Sequence, residues 1–119
     1  MIDSYRADKL CIDVIDSGDT VVLSWKGESD LRFPRQTLLP YLMALKDKLR
    51  ARKVRLCFEE LTYMNSASVT PLMEFVSTIR ASASEIVIHY RNDLAWQATS
   101  FRAMRIVARK WSNVVIHGV

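Results

Sequence analysis

Leu61-Thr62-Tyr63-Met64-Asn65-Ser66-Ala67-Ser68 holds the side chains best placed to do chemistry in this chain of 119 residues. The segment leads out of an apolar, strand-like run into the start of a helix. Its hydroxyls therefore lie beside the positive end of a helix dipole. A phosphate added there is stabilised locally, yet it changes the charge of any docking surface by about two units. Ser66 and Ser68 also fit a plainer role, that of capping the helix. Thr62, Tyr63, Met64, Asn65, Ser66 and Ser68 are expected to form a loop that binds a protein partner.

Other constellations point away from catalysis. His89 and His117 both fall inside strand-like runs, and nothing beside them supplies the orienting group of a triad. Glu59 and Glu60 are adjacent, which on a strand sends the two carboxylates to opposite sides. No His-x-x-x-His, His-Glu-x-x-His or Cys/His cluster occurs, so no metal site is expected. No Gly-x-Gly-x-x-Gly and no Gly-x-x-x-x-Gly-Lys-Ser/Thr occurs either, so no nucleotide cradle and no cofactor are expected. Cys11 and Cys57 lie far apart without a Cys-x-x-Cys pair, and read as buried thiols in a reducing compartment. Arg102, Arg105 and Arg109, followed by Lys110, make a basic stripe. It is either a solvated face whose last turn complements the helix dipole, or a dock for an acidic partner or a phosphate. Trp25 reads as core. Trp96 is either an interface anchor or a cap on the core edge.

These residues must be positioned by elements that the apolar spacing predicts. Lys9–Asp16 and Thr20–Lys26 read as two strands joined by the Ser17-Gly18-Asp19 turn. Leu38, Leu42, Leu45 and Leu49 mark one face of a helix with Thr37 as N-cap and Pro40 in its first turn. Val54, Leu56 and Phe58 form a third strand, and Glu59–Ser68 a loop. Leu72, Phe75, Val76 and Ile79 mark a second helix, capped by Ser68 or Thr70 with Pro71 in its first turn. Glu85–Tyr90 is a strand. A third helix follows the Asn92-Asp93 cap and buries Leu94, Ala98, Phe101, Met104 and Ala108. Asn113–His117 closes the order β-β-α-β-α-β-α-β. This predicts an α/β fold: an N-terminal hairpin, then a mixed, mostly parallel central sheet with packed helices, as one domain over 1–119. The loop at 62–68 then follows a parallel strand, where such folds place functional groups.

The bulk numbers agree. Half the residues are apolar and a quarter charged, which suffices for a continuous core. The net charge of +4 fits an acidic partner, a phosphate ligand or solubility alone. There is no Lys/Arg-rich run, and nucleic-acid binding is not expected. Met1–Arg6 has no apolar signal core, and no stretch approaches the ~20 apolar residues of a membrane helix. A cytoplasmic chain without membrane insertion is expected, and self-association as a homo-oligomer stays open.

Val54–Leu56, then Leu61–Ser68, then the following helix resemble the STAS domain family, which includes anti-sigma factor antagonists. Leu23-Ser24-Trp25-Lys26-Gly27-Glu28-Ser29-Asp30 is similar to the family's strand ending in Gly-Glu-x-Asp. The resemblance implies a regulatory, non-enzymatic module of bacterial partner switching. Its partner would be an anti-sigma factor with serine-kinase activity, and Ser66 the residue phosphorylated. Three positions depart from the family pattern: Asn65 stands for aspartate, Ser68 for glycine, and Cys57 for an acidic residue. The alternative is a constitutive scaffold or accessory subunit, for instance beside a transporter ATPase, with no phosphate on Ser66.

Overall fold

Alternating apolar residues build the sheet. Leu10, Ile12 and Val14 point to one side of β2 (Leu10–Asp16), and Val21, Leu23 and Trp25 do the same on β3 (Thr20–Ser29). A computed structural model of the chain describes residues 2–119. It adds β1 (Ile2–Ala7), α1 (Leu38–Ala44), β4 (Lys53–Met64), α2 (Ser66–Ile79), β5 (Glu85–Tyr90), α3 (Ala95–Ala108) and β6 (Val114–Gly118). The six strands lie in sequence order; β1–β2 and β2–β3 pair antiparallel, and the remaining pairs are parallel. The protein is therefore α/β with a mixed sheet, as its apolar spacing predicts.

From β3 to β6 the chain steps one strand at a time in one direction. Right-handed crossovers then lay all the helices on one face. Under them Val14, Leu23, Leu56, Ile88 and Ile116 stand in cross-strand register as one buried layer. Trp25, Phe58, Phe101 and Tyr90 continue the core, with successive ring centroids 5.1, 4.8 and 5.2 Å apart. The opposite face is uncovered: Ile15, Val22, Cys57 and Val87 are half-buried there, and Arg55, Val115 and His117 are exposed.

Several elements depart from the sequence expectation. β1 is an additional edge strand; Tyr5 and Ala7 pack against the core, with Tyr5 stacked on Tyr41 at 4.2 Å. The first helix is short. After Ala44 the backbone closes i→i−3 bonds, Leu45 N–H to the Leu42 carbonyl and Lys46 N–H to that of Met43. The tighter turns still turn Leu45 and Leu49 inward, so all four leucines are buried as expected. Thr37 precedes this helix, but its hydroxyl donates to the Phe33 carbonyl and does not cap it.

The largest departure is β4, which runs on through Glu59–Met64. Its pairing with β3 slips twice, so that Cys57 and Glu60 face Ser24 and Lys26, and Leu61 and Tyr63 face Gly27 and Glu28. Each slip is a bulge with one extra residue on β4. The buried positions accordingly change from 54, 56 and 58 to 61 and 64. Glu59 and Glu60 are both exposed. Gly27 makes the adjoining bend possible: its φ is +86°, and a Cβ there would stand 2.0 Å from the Lys9 carbonyl oxygen. Among the described residues no helix is long and apolar enough to cross a membrane.

Candidate functional site

β4 pairs with β5 only as far as Cys57 and His89. Beyond that point its carbonyls need donors from elsewhere. Gln97, fully buried on α3, supplies them: its Nε2 donates to the carbonyls of Phe58 and Leu61, each at 2.7 Å. Its Oε1 accepts the Arg91 N–H at 2.7 Å, which fixes the amide orientation. Trp96 Nε1 donates to the Thr62 carbonyl at 2.8 Å, so this tryptophan caps the core edge. The Thr62 hydroxyl donates to the Gly27 carbonyl at 2.9 Å. Sequence reading missed Gln97. The signal was available, because a glutamine between Leu94 and Phe101 at helical spacing is a polar group on an apolar stripe.

The β4–α2 junction is tied down from the other side. Asn65, rather than Ser68 or Thr70, is the N-cap of α2; its φ and ψ are −77° and 162°, and its Oδ1 accepts the Ser68 N–H at 3.1 Å. The Ser68 hydroxyl donates to the same Oδ1 at 2.6 Å, and the Ser29 hydroxyl donates to Ser68 at 2.9 Å. Asn65 Nδ2 donates to the Leu31 carbonyl at 3.1 Å, and Asn65 N–H to the Ser29 carbonyl at 2.8 Å. A carboxylate at 65 would lose the Leu31 bond, since it has no donor. Replacing Asn65 by alanine is expected to lower stability by about 1–2 kcal/mol, the usual cost of a lost N-cap, read as a lower denaturant midpoint at unchanged slope.

The predicted site residues thus divide. Thr62, Tyr63 and Met64 lie on the bulged end of β4 and Asn65 at the cap, so the expected loop is mostly strand. Thr62, Tyr63 and Ser66 are exposed, and Tyr63 keeps 44% of its surface. Ser68 is wholly buried and offers no side-chain surface to a partner. Pro71 is the sixth residue of α2, in its second turn and not its first. The missing N–H there leaves the Ala67 carbonyl without its helical donor.

Ser66 is the first residue of α2 and stands at the mouth of an open groove of about 530 Å³ between α2 and α3. Met64, Met73 and Met104 line its apolar part, with Ala103 and Val107 on the α3 wall. Asn65 occupies the Ser68 N–H, but the first-turn amides of Ser66 and Ala67 have no helical acceptor, by the geometry of any helix start. An anion on Ser66 would meet those donors and the helix dipole.

The remaining candidates lie apart from this junction. His89 and His117 face each other on the uncovered sheet face, with ring centroids 5.8 Å apart, and pair in register beside Cys57. Among the described residues no group of His, Cys, Asp and Glu is arranged to hold a metal. Both cysteines are half-buried on that uncovered face and not in the core; burial pushes the Cys57 thiol above its ordinary pKa. In the basic stripe Arg105 is engaged, donating to the Ile116 carbonyl and the Tyr90 hydroxyl, each at 3.1 Å. The third helix starts at Ala95, with Leu94 as cap residue in place of Asn92-Asp93. Asp93 is held instead by Arg91, which keeps its carboxyl below the usual range. No family model and no curated protein matches the chain.

Proposed function

We propose that the chain is a regulatory protein-binding module, whose docking surface is the exposed end of β4 with the α2–α3 groove, and whose switch is Ser66. The observation that carries this reading is the place of Ser66: exposed, first in α2, and at the mouth of an apolar groove. A phosphate there would leave the fold intact, because the Asn65 cap and the Ser29–Ser68 pair do not involve the Ser66 side chain. It would also set about two negative charges against any apolar side chain entering the groove. The resemblance of Leu61–Ser68 and Leu23–Asp30 to STAS-domain anti-sigma factor antagonists supports the same assignment. On that analogy the partner is an anti-sigma factor with serine-kinase activity, the site is in the cytoplasm, and the chain itself performs no catalysis.

A second reading has one observation in its favour. The Asn65 amide accepts from Ser68, as a carboxylate would, and also donates to the Leu31 carbonyl, a bond that the family's aspartate could not make. The junction is therefore rigid without any charge for a kinase to read, which suits a constitutive scaffold or an accessory subunit of a transporter ATPase. Intact-mass and peptide mass spectrometry of the protein from its native cell separates the two. The switch predicts a phosphate on Ser66 that rises and falls with growth conditions; its steady absence selects the scaffold.

A further inference from the structure

We infer that the furrow between α2 and α3 receives an amphipathic α-helix of the partner protein, and that the polar flank of that helix is acidic. The inference rests on the partner-binding reading and adds the shape and charge of what binds.

The shape comes first. A second hollow, lined by Thr70, Met73, Val107 and Trp111 among others, shares its walls with the groove at Ser66. The two join into one furrow that follows two helices of 14 residues each, which at 1.5 Å per residue is about 20 Å. That length accommodates about four helical turns. Apart from Met64 at the end of β4, the wall residues of the groove at Ser66 are on α2 and α3. Beyond the first turn of α2 and the Ala67 carbonyl opposite Pro71, their backbone groups are paired within the helices. An extended peptide laid there would leave its N–H and C=O groups facing methionine and valine. A helix satisfies its own backbone and needs only apolar side chains at i, i+3 or i+4, and i+7. Ala103 lets a helix axis approach closely, and the methionines adapt to the shape of the side chains that enter. Two apolar side chains on α3 already face solvent, Val107 at 49% and Ile106 at 64% exposure.

Charge selects the flank. No acidic side chain follows Asp93 in the sequence, while Arg102, Arg105, Arg109 and Lys110 all do. Arg102 stands one helical turn before Ile106, and Lys110 follows the C-cap of α3 and directly precedes Trp111, which lines the furrow. Arg102, Arg109 and Lys110 are exposed and form no ion pair among the described residues. The carboxylate on the α2 side, Glu74, is held by Arg35. The α3 side of the furrow thus carries unpaired positive charge and no carboxylate, with Lys110 next to the furrow's end and Arg102 and Arg109 on the outer flank of α3, where the polar flank of a docked helix faces them.

The test selects peptides from an unbiased display library on the full chain, then measures binding of the enriched sequences by fluorescence anisotropy. The expected binders are helical, carry apolar residues at i, i+3/i+4 and i+7, and are net negative. Their affinity should fall about tenfold or more for Val107→Glu and for Arg102→Glu with Lys110→Glu, and weaken with added salt. Val115→Glu, on the uncovered sheet face, should leave it unchanged. Circular dichroism confirms folding, which these exposed positions should preserve. Neutral or basic binders, extended binders, binding indifferent to the furrow variants, or no enrichment would each overturn the inference. So would binding to anionic lipid vesicles in place of any peptide. Equal affinity of the same peptides for Ser66→Ala and Ser66→Asp would remove the switch and leave the helix in its furrow.

Discussion

Replacing Gln97 by leucine is expected to cost about 3 kcal/mol or more of stability, which for a domain of this size lowers Tm by roughly 10–20 °C. Leucine matches glutamine closely in volume, so no cavity accounts for the loss. What disappears is a set of three hydrogen bonds at a fully buried amide, to the carbonyls of Phe58 and Leu61 and from the N–H of Arg91. Those backbone groups stay behind in a dry environment, and each unsatisfied group costs about 1–3 kcal/mol. Trp96→Phe is the matched comparison. It removes one bond at the half-buried core edge, to the Thr62 carbonyl, and should cost about 1 kcal/mol. A loss below about 0.5 kcal/mol for Gln97→Leu, measured by urea denaturation, would show that the bulged end of β4 is held by something else. The consequence reaches function, because this amide fixes the strand end that presents Tyr63 and leads into Ser66.

Ser66→Asp should bind the partner about 100-fold more weakly than Ser66→Ala, while the two variants unfold within a few tenths of a kcal/mol of each other. Near-equal stability follows from position: at the first residue of α2 a carboxylate gains from the helix dipole, and the Asn65 cap is untouched. The binding loss follows from desolvation: a docked partner takes water from a charged group beside an apolar groove, which costs on the order of 3 kcal/mol even next to the helix dipole. Indistinguishable capture by the two variants would leave the constitutive scaffold as the reading.

The parts of the fold that were legible before the structure share a cause. Leu10, Ile12 and Val14 keep the strand period of two, Phe101, Met104 and Ala108 keep the helical spacing, and the leucines from Leu38 to Leu49 stay inward through the tighter turns after Ala44, so burial follows the apolar spacing in each. β1 gives little apolar signal, because Asp3, Ser4 and Arg6 are exposed and Tyr5 and Ala7 pack only partly against the core. The far half of β4 resembled a loop for a different reason. Its two bulges replace the strand period of two by a spacing of three, so Leu61 and Met64 no longer alternate with Phe58. The site itself was legible as a segment but not in its division of labour. Nothing in the residue types separates Ser66 from Ser68. Only the cap at Asn65 and the long-range bond to Ser29 make one a surface hydroxyl and the other a buried pin.

The claim that a partner docks at the β4–α2 junction is tested most directly by hydrogen–deuterium exchange of the full chain, alone and with the partner captured from its source cell. Docking there should slow exchange from Tyr63 through Val69 and along α3 around Ala103 and Val107, with strands β5 and β6 unchanged. Protection confined to the uncovered sheet face, at Val22, Val87 and Val115, would contradict it.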